Sequence, residues 1–425
     1  MQIDLETVRS QFPALAITDD GVRRIYFDNP AGTQVPQCVA DAVADGLLHK
    51  NANLGGYFAS SAAAEKVVAG ARGAMADFLN APSDDEIIFG ANMTALTLHL
   101  SRSIGQWLKP GDEIVLSRMD HDANVWPWVL MARDCGIKIK WLPFNKETFE
   151  FDLEVLDDLL TDRTRLLCVG GASNLTGTIN DVAAICSKAR AAGVLTYIDA
   201  VQSAPHLPTD VQQLGCDFLT CSSYKFFGPH YGILWGRRDV LEQLEPYRVR
   251  PAPSEIPGSF ETGTINLEAC AGLSAVIDYF AGVGQTMALG HMERWSHFSG
   301  RRQAVHAAVD YLLAYEQSVA ERLINNLETI DGVTVQGITS PDAMERRVPT
   351  VAFTHDRIAP DVIARALADN NIFVWSGHNY AVEVAKTLGI FESGGAVRVG
   401  PVHYNTFDEI DDFSAVLASI CRISN

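Results

Sequence analysis

The chain has 425 residues, and its 33 basic and 52 acidic side chains give a formal net charge of −19. Nucleic-acid phosphates and anionic membranes repel such a polyanion, so we expect neither kind of partner. The length suits one large domain and a smaller one, and 47% hydrophobic residues are ordinary for a protein with a well-packed core.

The eight cysteines are scattered, with neither a CxxC pair nor a Cys/His metal spacing. This distribution is typical of buried thiols in a reducing compartment. The N-terminal segment carries acidic residues and no apolar core, so it does not resemble a signal peptide. No uncharged apolar run approaches the roughly 18–20 residues that cross a bilayer. We therefore expect a cytoplasmic protein without a metal centre.

Seven short β-rich runs lie between residues 86 and 236. Several are continuously apolar instead of alternating, which fits strands that are buried on both faces of a mostly parallel sheet. Helix-length segments, such as 94–108 and 182–192, separate many of them. The pattern predicts an α/β domain. The seven runs are 86–90, 113–117, 138–143, 165–171, 195–200, 218–223 and 231–236.

After residue 265 the pattern changes to long helices followed by short strands. Residues 265–283 and 301–330 carry apolar residues at helical spacing. We therefore predict a large domain over 18–290 and a small α+β domain formed by 1–17 together with 291–425. The strand candidates of the small domain are 333–337, 350–354, 372–376 and 396–400.

Two residues at strand ends carry the first chemical signal. Lys225 directly follows an apolar strand, where a desolvated amine suits a Schiff base, although a lysine there can also reach out to water. Asp199 closes the preceding strand and is suited either to pair with a protonated pyridine nitrogen or to cap a helix. The interval of 225 − 199 = 26 residues spans one strand–helix–strand unit, so the two side chains can converge on one pocket.

Eight segments in the same order resemble the class V aminotransferase group of fold-type I pyridoxal 5′-phosphate (PLP) enzymes. Within that group the chain is similar to the cysteine desulfurase and selenocysteine lyase branch. The resemblance covers nearly the whole length and implies an α/β PLP-dependent transferase fold. The segments are 26–31, 89–94, 118–124, 173–178, 199–202, 222–225, 260–264 and 396–399.

The resemblance implies a role for each matching residue. Lys225 would form the Schiff base and move the substrate Cα proton, and His121 would lie over the cofactor ring. Arg398, with Asn174 beside it, would bind the α-carboxylate of an amino-acid substrate, a task that suits a planar guanidinium. The other cofactor contacts would be Asp199 at the pyridine nitrogen, Asn174 and Gln202 at the phenolate oxygen, Met93, Thr94, Ser222 and Tyr224 at the phosphate, and Thr264 contributed across a homodimer interface to a shared site.

The chain departs from the desulfurases at two places. Tyr380 occupies the position of the cysteine that carries the persulfide, and the sequence has no cysteine between Cys270 and Cys421. Asn53 and Leu54 stand near the place of a His-Arg pair close to the desulfurase substrate. A phenol does not accept sulfur as a thiolate does. The cofactor residues are therefore kept while the sulfur-handling residues are not.

The leading hypothesis is a lyase that eliminates a β-substituent, of the C–S type, from an amino acid without a protein persulfide. Tyr380 or His121 would protonate the leaving group. A class V aminotransferase or an epimerase would use the same cofactor and lysine. A third hypothesis is an inactive PLP-binding scaffold.

Overall fold

The structure is a computed structural model that describes residues 3–423, so the first two and last two residues of the predicted small domain lie outside it. Its strands are β1 Thr18–Asp19, β2 Val22–Arg23, β3 Ile25–Tyr26, β4 Ile87–Gly90, β5 Glu113–Ser117, β6 Lys138–Leu142, β7 Phe144–Asn145, β8 Glu150–Phe151, β9 Thr164–Gly170, β10 Leu195–Asp199, β11 Phe218–Ser222, β12 Gly232–Gly236, β13 Val333–Gln336, β14 Val351–His355, β15 Ile372–Phe373, β16 Trp375–Gly377 and β17 Ala396–Val399. Its helices are α1 Leu5–Ser10, α2 Gln37–His49, α3 Ala59–Leu79, α4 Met93–Trp107, α5 Trp126–Cys135, α6 Leu153–Leu159, α7 Val182–Ala191, α8 Val211–Leu214, α9 Arg238–Leu241, α10 Leu267–Thr286, α11 Leu289–Met292, α12 Gly300–Glu328, α13 Pro360–Ala368, α14 Val382–Thr387 and α15 Phe407–Ile423.

A seven-stranded sheet with the order β4-β12-β11-β10-β9-β5-β6 forms the centre of the fold. Neighbouring strands are parallel except where β12 runs antiparallel to β11 and β4. Each of the seven predicted runs forms one of these strands. The predicted α/β fold with a mostly parallel seven-stranded sheet is therefore confirmed.

The central strands are buried on both faces, which explains their continuously apolar sequences. On β10, Ile198 belongs to one hydrophobic cluster and its neighbour Tyr197 to another. On β11, Leu219 and Phe218 divide between the same two clusters. Because successive strand residues point to opposite faces, two separate cores need apolar residues at every position.

Helix α10 is a core helix, packed against α2, α3 and α12. Within residues 3–423 it is the one helix that is long and apolar enough to cross a membrane by length and composition. Of its apolar stretch, 72% is buried inside the fold. A buried core helix also meets these criteria, so the finding is weak support for a membrane span.

A second sheet, with the order β13-β14-β17-β16, is antiparallel throughout. The prediction of one strand over 372–376 is wrong, because the chain changes partners at Val374. β15 pairs in parallel with β3 near the N-terminus, whereas β16 pairs with β17. The division into domains after residues 17 and 290 stays a prediction.

A buried polar network links α12 to the loops that follow β10 and β17. Glu316 lies 2.7 Å from Nδ1 of His206 and accepts a hydrogen bond from the backbone of His403. The His403 ring in turn contacts the Tyr279 hydroxyl at 2.7 Å. Burial by itself raises the pKa of Glu316, but the two imidazoles outweigh it and leave that pKa below its usual value. The hydrogen bonds of this network replace those that the same groups make with water in the unfolded chain.

Candidate active site

A cavity of about 880 Å³ opens at the carboxyl ends of β5, β9, β10 and β11, the edge at which open α/β sheets bind ligands. Eleven of the twelve residues that the sequence singled out line it, and the twelfth, Thr264, is exposed and does not. Within residues 3–423 no group of three acidic, histidine or cysteine side chains is placed to hold a metal. The eleven are Met93, Thr94, His121, Asn174, Asp199, Gln202, Ser222, Tyr224, Lys225, Tyr380 and Arg398.

Lys225 ends a short helical turn after β11 and reaches the cavity. Although the residue is partly exposed, its Nζ is held by the backbone carbonyls of Pro30 and Ala31, the latter at 3.1 Å. Burial lowers the pKa of the Lys225 amine to about 7, and the Arg398 charge adds to this effect. A substantial share of the amine is therefore neutral near pH 7, as a nucleophile or base requires.

Two carboxyl groups lie in the buried floor of the cavity. Asp199 ends β10, accepts a hydrogen bond from the Val201 backbone, and has a pKa that burial raises to about 6. Asp120 accepts hydrogen bonds from Ser117 Oγ and from the Gly170 backbone. Burial raises the pKa of Asp120 to about 7, and repulsion from Asp199 contributes. Sequence reasoning missed Asp120, although it immediately precedes His121.

His121 follows β5 and has a defined tautomer. Its Nδ1 accepts a hydrogen bond of 3.0 Å from the Ala123 backbone, so the ring proton resides on Nε2. Burial, together with the charges of Lys225 and Arg398, lowers the pKa of His121 to about 3. The imidazole is therefore neutral at ordinary pH. Its ring is stacked on Tyr380, with centroids 5.5 Å apart.

The N-terminus of the fifteen-residue helix α4 also points at the cavity. Asn92 caps the helix, and the Met93 backbone donates to Ser222 Oγ on β11 at 3.1 Å. A Cβ on Gly232 of β12 would lie 2.4 Å from the Asn92 backbone, so only glycine allows the strand to pass this closely. The helix terminus and the Ser222 hydroxyl together form a surface suited to an anion.

Arg398, on β17, crosses from the second sheet into the cavity and is 4% exposed. One of its terminal nitrogens donates to the Asn174 carbonyl at 3.1 Å, and the other lies 3.5 Å from Asp28 Oδ1. Burial lowers the pKa of the Arg398 guanidinium while Asp28 opposes the shift. Arg398 Nε and Asn174 Oδ1 are both buried without a hydrogen-bond partner. Such atoms are expected where a polar ligand completes the site.

The amides of Asn174 and Gln202 are partly engaged within the protein. Asn174 Nδ2 donates to the Asn379 carbonyl at 2.8 Å, and Gln202 Nε2 donates to Thr350 Oγ1 at 2.9 Å. Each amide nitrogen carries two hydrogens, so one donor of each remains.

The segment after β16 forms the outer wall of the cavity. Tyr380, in this segment, is 67% exposed, and Trp375 on β16 and Trp126 on α5 line the cavity as well. None of the eight cysteines, all of which are described, is among the lining residues. Cys221 on β11 is fully buried, and burial raises the pKa of its thiol far above the usual value. Sequence reasoning missed both tryptophans, because no motif marks them.

Comparisons with known proteins point to one family. The sequence model described as "Aminotransferase class-V" matches residues 25–299 and 304–413. A "Probable cysteine desulfurase" of Streptomyces coelicolor is 32% identical over 96% of this chain and 95% of its own length. A cysteine desulfurase of Pectobacterium atrosepticum is 30% identical over 100% of this chain and 99% of its own.

Solved structures agree with the sequence comparison. An apo cysteine desulfurase from Thermococcus onnurineus NA1 superposes with a TM-score of 0.86 at 27% identity, covering 99% of both chains. The cysteine desulfurase CsdA of Escherichia coli, in an S-sulfonic acid form, gives a TM-score of 0.82 at 26% identity over 100% of both chains.

The cavity fits the cofactor of that family. A lysine amine with a lowered pKa, a buried carboxyl group and a helix N-terminus match the aldehyde, pyridine nitrogen and phosphate of PLP in turn. The unpartnered Asn174 Oδ1 shows that the polar lining is incomplete without a ligand. This chain therefore belongs to the class V aminotransferase family of PLP-dependent enzymes.

Proposed function

We propose that the protein is a PLP-dependent lyase that eliminates a β-substituent, of the C–S type, from an amino acid without forming a protein persulfide. The proposal depends on one observation. Lys225, whose amine has a lowered pKa, lies in a cavity that no cysteine lines. PLP, when bound, withdraws electrons from the substrate Cα and so acidifies its C–H bond.

Seven residues of the cavity would surround the cofactor ring and its phosphate. Asp199 would pair with the pyridine nitrogen, which its buried position supports. Asn174 and Gln202 would each donate their remaining amide hydrogen to the phenolate oxygen. Thr94 would receive the phosphate at the start of α4, beside Met93, whose backbone N–H donates to Ser222 Oγ. The Ser222 hydroxyl and Tyr224 complete this proposed phosphate site.

Arg398 would bind the substrate carboxylate. Its unpartnered Nε and the weak 3.5 Å contact with Asp28 leave donors that a carboxylate can accept in a bidentate arrangement. The Asn174 carbonyl orients the guanidinium from the other side. A substrate bound in this way would present its α-amino group to Lys225, which lines the same cavity.

Proton movement would involve Lys225 and His121. The Lys225 Nζ accepts the Cα proton, because its lowered pKa leaves much of it unprotonated near pH 7. The Nε2–H of His121 is a donor fixed by the hydrogen bond at Nδ1. A neutral imidazole is too weak an acid to give up its Nε2 proton, so His121 would hydrogen-bond the leaving group while the Tyr380 hydroxyl stacked beside it would deliver the proton.

The test uses the purified enzyme with PLP and a panel of β-substituted amino acids. Pyruvate and ammonia, formed in equal amounts and lost in a Lys225→Ala variant, would support the lyase. Mass spectrometry after cysteine treatment should find no sulfane sulfur on residues 375–381. Sulfane sulfur on Cys221 or Cys270, formed as the substrate cysteine is converted to alanine, would contradict the proposal. Stoichiometric keto acid with pyridoxamine phosphate would indicate an aminotransferase instead.

We also propose a homodimer in which the partner subunit's Thr264 reaches the phosphate. Thr264 is exposed and lies outside the cavity of its own chain, which supports a role across an interface. Thr264→Ala should weaken PLP binding without changing the dimer. A monomer in solution with intact PLP affinity would contradict this arrangement.

We expect a cytoplasmic location, which the absence of disulfides among the eight described cysteines supports.

A further inference from the structure

Three exposed aromatic side chains surround the mouth of the active-site cavity. Trp126, Trp375 and Tyr380 are 54%, 56% and 67% exposed, and all three line the cavity. They come from α5, from β16 and from the segment after β16, so the fold brings them together from separate parts of the chain. Exposed apolar surface that is gathered in a concave site is typical of ligand binding.

The backbone around Tyr380 is held in an unfavourable conformation. Asn379 and Tyr380 have φ angles of 51° and 56°, and this left-handed region is rare for a bulky residue such as tyrosine. The Asp122 backbone donates to the Tyr380 carbonyl at 2.7 Å, and Asn174 Nδ2 holds the Asn379 carbonyl at 2.8 Å. Strain that neighbouring groups maintain in this way is characteristic of ligand clamps. Here it keeps the Tyr380 ring stacked against His121 at the cavity wall.

The charged groups near the outer wall include two neighbouring carboxyl groups, Asp122 and Glu383. The inner charged groups Lys225, Asp199 and Arg398 are all assigned to PLP and to the amino-acid backbone. At the mouth, burial raises the pKa of Asp122, and the Glu383 charge raises it further, while Lys386 and His378 oppose the shift. Asp122 is therefore repelled by the Glu383 carboxylate, although Arg118 and Lys386 are ion-paired with Glu383. A substrate side chain bearing its own carboxylate would add to this repulsion.

We propose that the substrate is an amino acid with a large, uncharged aromatic side chain, and that Trp375 and Tyr380, with Trp126, form its binding surface. The inference rests on the proposed function, because it assumes that Arg398 fixes the α-carboxylate. The aromatic wall then lies where the substrate side chain leaves the inner site. Flat aromatic surfaces favour stacked or edge-on aromatic partners. Trp375 and Tyr380 lie in the segment in which desulfurases present a thiol.

The experiment titrates the PLP-loaded enzyme with single amino acids and follows the absorbance of the bound cofactor. L-Phenylalanine and S-benzyl-L-cysteine should bind on the order of tenfold more tightly than L-alanine and S-methyl-L-cysteine, as expected for burying one aromatic side chain. L-Glutamate should bind more weakly than L-alanine.

Variants identify the surface that is responsible. Trp375→Ala should lose most of the preference for the aromatic amino acids, while its affinity for L-alanine changes by less than about threefold. Tyr380→Ala should also lose most of that preference. Tyr380→Phe should keep the preference, because it keeps the ring. Phe407→Ala is the matched control, since Phe407 is also an exposed aromatic residue, at 40%, but lies outside the cavity.

The results separate this inference from the proposed function. An enzyme that responds to small amino acids as strongly as to aromatic ones would overturn the inference and leave the proposed function standing. A preference for aromatic amino acids that survives in both alanine variants would also overturn it. A PLP-loaded protein whose absorbance responds to no amino acid would overturn both.

Discussion

Replacing Lys225 with methionine removes an amine that the fold disfavours in its charged form. The pKa of Lys225 falls from an ordinary 10.5 to about 7, mainly through burial. Between these two values the unfolded chain binds a proton that the folded protein does not, so the stability of the PLP-free protein rises with pH. Integrating this difference gives a penalty of about 4 kcal/mol at pH 7 and about 2 kcal/mol at pH 9.

The wild-type protein without PLP should therefore gain about 2 kcal/mol of unfolding free energy between pH 7 and pH 9 that the Lys225→Met variant does not gain. Guanidinium unfolding of both proteins at both pH values, at constant ionic strength, measures this difference. Groups whose pKa does not depend on the Lys225 charge titrate alike in both proteins and cancel. Lys66→Met is the control, because Lys66 is exposed. Equal pH dependence in wild type and Lys225→Met would refute the reasoning.

Three further predictions follow from the site and the core. Lys225→Ala should abolish a borohydride-reducible link between protein and PLP, whereas Lys66→Ala should keep it; a reducible link in the first variant, found by peptide mapping, would contradict the assignment. Arg398→Lys should weaken amino-acid binding by about tenfold or more through loss of the planar fork, while amines without a carboxylate bind as before in the same titration. Glu316→Leu should lower the unfolding free energy by about 3 kcal/mol, because His206 and His403 lose a buried partner; an unchanged denaturant midpoint would show that the network contributes little.

The central sheet could be predicted because its strands are buried on both faces and so appear in the sequence as continuous apolar runs. The prediction failed at 372–376, where the chain exchanges β3 for β17 as its partner within a few residues. No feature of the sequence within residues 372–376 indicates this change of strand partner. It depends on an N-terminal strand some 350 residues away in sequence, and periodicity does not report such distant pairings.

The candidate site could be predicted where a residue type follows a strand end in a recognisable segment, as for Lys225 and Asp199. The groups that surround those residues and hold them in position were harder to predict from the sequence. The carbonyls of Pro30 and Ala31 hold the lysine through backbone atoms, which carry no sequence signal. Trp126 and Trp375 are ordinary apolar residues in the sequence, and only their exposure at one cavity distinguishes them.

Asn174 connects three parts of the site through different atoms. Its carbonyl receives Arg398, its amide nitrogen holds the backbone beside Tyr380, and its unpartnered oxygen lines the cavity. Substitutions of Asn174 and Arg398 affect one connected set of contacts, and a double-mutant cycle of the two residues measures the coupling between them. An evolutionary path that changes the aromatic wall must preserve the Asn379 carbonyl contact or alter the carboxylate clamp at the same time. Substrate choice can therefore change most readily through side chains such as Trp375, which is on β16 and outside these hydrogen bonds.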